Sequence, residues 1–267
     1  MLKILRIEWM KVKNYRTFWI LLGMMVVSVP GLSYVIFNLM DNSFPKAKNG
    51  KSILGSPFAF PDAWQSVSWN STLLFILPAI LIITLTTNEF TYKTHRQNII
   101  DGWSRKQFIG VKLIEVLLLS VLSTFVVLLT VLGFGYIANK MPAGISVWQG
   151  SRFLFFYFVQ SLSYFTIAFL LSILIKRSGL AIGAFLIYML LENIVVGIFH
   201  NVYHINAMEY MPEEVTDRLI PFPYVKGLGL VDVGRWEHLL PWYLAVGALY
   251  LIIYCLVTGR YFLKNDL

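Results

Sequence analysis

The chain has 267 residues, of which 57% are hydrophobic, 16% aromatic and only 13% charged, with a formal net charge of +8. Soluble domains carry roughly 25% charged residues, and one of this size cannot hide so much apolar surface from water, so the composition excludes an ordinary soluble domain and points to a lipid solvent. The single cysteine, Cys255, excludes an internal disulfide framework and a cysteine-rich metal site.

The first sixteen residues, MLKILRIEWMKVKNYR, read as an amphipathic helix lying in the membrane interface. Leu2, Leu5, Trp9 and Val12 recur at steps of three and four beside Lys3, Arg6 and Lys13, a stripe that can sit in the inner headgroup layer with Trp9 at the boundary. Ile4, Ile7 and Met10 fall off that stripe. The other reading is a positive flank that only sets orientation.

Six apolar runs follow, at 17–38, 67–87, 116–137, 153–175, 180–199 and 239–258. Each is long enough to cross a hydrocarbon core of about 30 Å at about 1.5 Å per residue. They are too long for barrel strands and lack the required alternation. In lipid the backbone must satisfy itself within each segment, so the expectation is an all-α polytopic membrane protein of six transmembrane helices, one domain over 1–267. The first run is retained rather than cleaved, because it exceeds a leader's apolar stretch and Ser28-Val29-Pro30 is a poor cleavage site. Pro30-Gly31 predicts a kink or local break within it.

Fourteen of the 22 Lys and Arg residues fall in the N-terminal segment, the second-to-third and fourth-to-fifth connections, and the C-terminus. The basic side is cytoplasmic, so both termini are expected there. On the outer side, NGKS at 49–52 resembles the end of a phosphate-binding loop, but Pro45 stands where that loop needs glycine. The outer segment 200–238 contains EEVTDR at 213–218, with the acid and arginine spacing of membrane-embedded CAAX-type proteases but no histidine motif on a later spanning helix. Pro212 is expected to open a short surface helix with Glu213 and Glu214 in its first turn. His200 and His204 have the spacing of two metal ligands on one helical face, but no third ligand is evident, and no metal site is expected. PFPYV at 221–225 suggests a dip toward the outer leaflet. No catalytic constellation appears on any span.

Two acids fall in or beside spans. Glu115 is expected to reach the interface and pair with Lys112, three residues away. Glu192, with Asn193, is either a proton or cation site or a helix-to-helix bond to Gln160, Ser161 or Ser163.

The most informative stretch is EFTYKTHRQNIIDGWSRKQF, Glu89 to Phe108, within a cytoplasmic segment at 88–110. Thr87 or Asn88 is expected to cap a helix leaving the second span, and Asp101-Gly102 to end it. Tyr92, Ile99 and Trp103 recur on one side with Arg96, while Lys93, Gln97 and Asn98 fall elsewhere. Ser104-Arg105-Lys106-Gln107 has the capping-box form that starts the next helix. Two stiff spans joined by a short, firmly capped helix suit a surface that receives force from a soluble partner. The alternative is a solvated basic loop that only fixes topology.

This stretch resembles the core of ABC-2-type transporter permeases, the membrane subunits of ATP-driven exporters. The resemblance rests on Glu89, Phe90, Thr94, Arg96, Asp101, Gly102, Ser104, Arg105 and Lys112, and more loosely on the six-span layout. Lys93 departs from it, since many members have glycine there. The resemblance implies an interfacial helix near Lys3 to Asn14, including Leu5, Arg6 and Trp9, and a cytoplasmic coupling helix at Thr91 to Ile100, between helices 2 and 3. That helix would dock on a separate nucleotide-binding ATPase subunit through Glu89, Tyr92, Lys93, Thr94, Arg96, Ile99, Asp101, Gly102, Trp103 and Arg105. ATP and Mg would bind that partner, with no cofactor held by this chain. A second permease copy, as homodimer or related heterodimer, would complete the path in a bacterial cytoplasmic membrane, and no nucleic acid is implied. The competing readings are an ion-coupled secondary transporter using Glu192, or a membrane assembly protein that transports nothing.

Overall fold

The computed structural model describes residues 2–43, 57–137, 146–201, 203, 206–224 and 233–264. Among them every regular element is helical: α1 (Leu2–Lys13), α2 (Arg16–Ser43), α3 (Ala63–Thr72), α4 (Ile76–Thr91), α5 (Thr94–Ile100), α6 (Arg105–Ile137), α7 (Arg152–Ile175), α8 (Ser178–Asn201), a 3-10 turn (Asn206–Tyr210), α9 (Glu214–Asp217) and α10 (Val233–Lys264). The NGKS stretch and His204 lie outside the described residues.

Helices α2, α6, α7, α8 and α10 are each long and apolar enough to cross a membrane, and α3 with α4 forms a sixth such unit bent by 44°. The run 67–87 is therefore not one continuous helix, as its hydropathy predicted. Pro78 explains the break. It has no N–H to give the Leu74 carbonyl, and its ring crowds that carbonyl, yet it is tolerated in the first turn of α4. The separated α3 is polar but buried, with Gln65, Ser66, Ser68, Asn70 and Ser71 all inside. Inside protein rather than lipid, several of its polar groups find partners. Gln65 donates to the Pro221 carbonyl at 2.6 Å, Tyr224 donates to Asn70 at 2.8 Å, and the Trp64 indole donates to the Val147 carbonyl at 2.7 Å.

Of the kink or local break expected at Pro30-Gly31, the break is absent, because α2 stays helical through both residues. Its face carrying Met25, Val29 and Ser33 is buried, and α2 packs on α4 and α6. Neighbouring helices hold the segment through the one missing hydrogen bond, as they do for prolines in other spans.

Burial orders the bundle. The most apolar stretch of α7 is 61% buried, against 17% for α2 and α8 and 11% for α10. Helix α7 is therefore the central post, packed on α4, α6, α8 and α10. The peripheral helices turn residues such as Ile20, Val27, Leu190, Ile194, Leu249 and Ile252 outward, as helices solvated by lipid do. Helices α6 and α10 run beyond their apolar runs, since a helix need not stop where the hydrocarbon does.

Candidate functional site

The segment joining α4 to α6 is built from local backbone chemistry. Helix α4 does not stop at Thr87 or Asn88; it continues to Thr91. Thr87 donates back to the Ile83 carbonyl at 2.7 Å and Thr91 to the Thr87 carbonyl at 3.1 Å. Side chains bonded to their own helix cannot cap the next one. The chain instead reverses at Lys93, whose φ of +56° lies in the left-handed region. Glycine is the usual occupant of that region, so Lys93 holds a turn that glycine would adopt with less strain.

Helix α5 then runs for seven residues. It closes as expected at Asp101-Gly102, with Gly102 at φ +95°. The Trp103 amide donates to the Asn98 carbonyl and the Gly102 amide to the Ile99 carbonyl, both at 3.0 Å, which is the Schellman pattern of helix termination. The capping box also forms. The Ser104 amide donates to Gln107 Oε1 at 2.9 Å and the Gln107 amide to Ser104 Oγ at 3.2 Å.

The predicted single face of this helix is split. Tyr92 and Ile100 stand out, 74% and 77% exposed, with Lys93, Arg96, Gln97, Asp101 and Gly102 also exposed, whereas Thr94, Ile99, Trp103 and Arg105 are half-buried. Inward come His95 and Asn98, neither of which was singled out from the sequence as a site residue. The His95 ring nitrogen Nδ1 lies 2.8 Å from the Glu89 carbonyl, and the ring packs on Phe90 at 4.7 Å. Arg105 donates to the Leu263 carbonyl at 3.0 Å, tying the start of α6 to the end of α10.

Glu89 is buried, 6% exposed. It belongs to a knot of charges centred on Lys112, whose ammonium lies 2.6 Å from Glu89, 2.7 Å from Glu8 and 3.2 Å from Glu115. The expected Lys112–Glu115 pair is therefore only one edge of it. Lys11 adds contacts of 2.7 Å to Glu8 and 3.7 Å to Glu89 and donates to Asn98 at 3.3 Å. Burial raises the Glu8 carboxyl, but the charges and hydrogen bonds of Lys112 and Lys11 outweigh it and hold Glu8 down at about 2. Three carboxylates and two ammoniums thus pin α1 to α4 and α6, with Asn98 linking in α5. The inward face of α1 is Glu8 and Val12, with Leu5 half-buried. Arg6 and Trp9 are exposed, Trp9 standing edge-on to Phe18 and Trp19.

At the opposite end, Glu192 does not reach Gln160, Ser161 or Ser163. Its Oε1 accepts the backbone N–H groups of Glu213 at 2.6 Å and Glu214 at 2.9 Å, satisfying the start of α9. Gln160 and Tyr164 instead donate to Asp217 at 2.7 and 2.8 Å. Asn193 is exposed and bonds to its own helix at the Met189 carbonyl. The EEVTDR helix does not lie free on the surface, because the fully buried Val215, Leu219 and Ile220 anchor it inward. Arg218 remains part-exposed and pairs with Glu214 at 2.7 Å. Burial, followed by the charges of Asp217 and Glu192, pushes Glu213 up to about 9. Burial likewise raises Asp217 to about 7 against the opposing bonds from Tyr164 and Gln160. Among the described residues, no group of three or more His, Cys, Asp or Glu is placed to hold a metal ion.

The family model described as ABC-2 family transporter protein matches residues 4–192, from α1 through the charged knot and α5 into α8. No curated protein sequence matches the chain. With most of its length covered by that family model and with its apolar helices able to cross a membrane, the chain belongs to the ABC-2 transporter family and is a multi-pass, ABC-2-type permease.

Proposed function

We propose that this permease is the membrane subunit of an ATP-driven exporter, and that α5 with its flanks receives motion from a separate ATPase subunit. The observation that carries this reading is the buried knot. A push on α5 meets the left-handed turn at Lys93 and the closed end at Gly102 rather than slack chain, and Asn98, Glu89 and Lys112 couple it to α4, α6 and α1 at once. Tyr92, Lys93 and Arg96, with Ile100, form the contact surface. Thr94, Ile99, Asp101, Gly102, Trp103 and Arg105 shape it, and Glu89 positions it from inside. ATP and Mg are bound by the partner. A second permease copy completes the path, and the basic end faces the cytoplasm of a bacterial cell, with α1 in the inner interface.

The test combines Tyr92→Ala with Arg96→Glu, two exposed changes that leave the knot intact. The expected result is loss of the co-purifying ATPase subunit and of transport, with an unchanged melting temperature for the permease. Retention of both association and transport overturns the coupling role.

A further inference from the structure

A cavity of 480 Å³ opens beside α5, between it, the α7–α8 connection and the end of α10. Its wall carries Lys93, His95, Arg96, Lys176 and Arg177, and no carboxylate lines it among the described residues. Lys93 and Lys176 are also the only non-glycine residues at positive φ among the described residues, at +56° and +58°. Two separate connections thus each adopt a strained turn, and both place a lysine on one cavity. Strain of this kind persists where the surroundings over-determine it, which is the pattern of ligand sites.

The floor is apolar: Phe90, Ile175, Tyr261 and Phe262. These residues lie at or near the ends of α4, α7 and α10, where spans of this length are expected to leave the hydrocarbon. The Lys176 ammonium stands 5.6 Å from the Phe90 ring, holding charge directly over that floor. A basic rim above an aromatic floor between the inner ends of spans matches one ligand chemistry, an anionic phosphate whose attached chains continue into the bilayer. Of the contact surface proposed above, Lys93 and Arg96 line the cavity, whereas the most exposed residues, Tyr92 and Ile100, do not.

We propose that this cavity binds the phosphate of an anionic phospholipid from the inner leaflet, bridging α5 to the α7–α8 connection. Bound there, the headgroup relieves repulsion among the basic side chains and ties α5 to the α7–α8 connection, which the charged knot does not reach.

The test uses the full-length chain in detergent. Native mass spectrometry counts bound dioctanoyl phosphatidylglycerol, with dioctanoyl phosphatidylcholine and inorganic phosphate as comparison arms. The expected result is retention of phosphatidylglycerol over phosphatidylcholine, lost about tenfold or more in Lys93→Gly/Lys176→Gly. That variant removes two charges while glycine suits both turns, so unfolding does not explain a loss; Arg96→Gln/Arg177→Gln provides a second route to the same result. Displacement of the lipid by equimolar inorganic phosphate supports phosphate recognition and assigns the source to a soluble anion. Equal retention of the two lipids, or unchanged phosphatidylglycerol binding in both variants, overturns the proposal. Loss of ATPase association in the variants with lipid retention unchanged also overturns it, and assigns the cavity to the protein interface instead.

Discussion

The two ends of the bundle, the α5 end that we propose to be the inner one and the α9 end that is then the outer one, bury carboxylates and neutralise them differently. At the inner end Glu8, Glu89 and Glu115 share two ammoniums, with Lys112 only 3% exposed at the centre. At the outer end Glu192, Glu213 and Asp217 have no ion pair with Lys or Arg among the described residues. For Glu213 and Asp217 the remedy is protonation, opposed at Asp217 by the bonds from Tyr164 and Gln160, while Glu192 accepts the backbone amides of Glu213 and Glu214. A charge held by an opposite charge depends on its partner, whereas an acid held by a proton does not. The inner end should therefore be brittle to substitution, and the outer end tolerant of neutral isosteres.

The largest effect expected is at Lys112. Lys112→Met leaves three carboxylates buried around an apolar chain, and breaking a buried ionic cluster in this way costs about 3–5 kcal/mol. Thermal unfolding of the purified permease should show a fall of several degrees or more. A melting temperature within a degree of the parent would show that the knot is not what binds α1 to α4 and α6. By the same logic Glu213→Gln at neutral pH should cost under about 1 kcal/mol, because an amide replaces an acid that is already neutral.

Acid and alkali should separate the ends further. Glu8 is held at about 2 against an ordinary value of 4.5. Its contribution is present above about 4.5 and is lost as pH falls toward about 2, an effect of roughly 3 kcal/mol. Glu8→Gln should flatten that acid limb. Glu213 has the opposite sign, being raised from 4.5 to about 9. Its contribution is complete below about 4.5 and is lost as pH rises through about 9, with Asp217 losing its own through about 7. Glu213→Gln should therefore flatten the alkaline limb and leave the acid limb alone. If both variants altered the same limb, the contrast between the two ends would collapse.

Glu192→Gln offers a smaller and functionally pointed effect. Glutamine keeps a carbonyl oxygen for the Glu213 and Glu214 amides, so stability should change by under about 1 kcal/mol and transport should persist. Abolished transport in a stably folded variant would restore the ion-coupled reading and count against the structural role of this residue.

What could be read from the sequence divides along a physical line. The Asp101-Gly102 stop and the Ser104–Gln107 box were legible because their partners lie three to five residues apart, within reach of a turn. The five long apolar spans were legible from hydropathy alone. The Glu8–Lys112 bond joins residues 104 apart, and the Gln160–Asp217 bond joins residues 57 apart. Only packing brings such pairs together. Glu8 could have been suspected as an acid in an otherwise basic helix. Pro78 was a visible signal for the α3–α4 break, but a long apolar run concealed it. The inward turn of EEVTDR was masked by its charges, although Val215, Leu219 and Ile220 supply the apolar anchor.

The smallest expected effect concerns the strained turns, and it tests whether the inner end is brittle in its backbone as well as its charges. Lys93→Gly removes a non-glycine residue from φ +56°, a conformation that costs about 1–3 kcal/mol. Glycine's greater freedom in the unfolded chain returns part of that gain. The net should be a stabilisation of under about 1 kcal/mol, read as a slightly raised melting temperature, and Lys176→Gly at φ +58° should behave alike. Both substitutions also remove a cation from a crowded basic wall, which acts in the same direction. A lowered melting temperature would mean that each lysine makes a favourable contact stronger than its turn is strained. The charges of the inner end would then stabilise its backbone geometry rather than tax it.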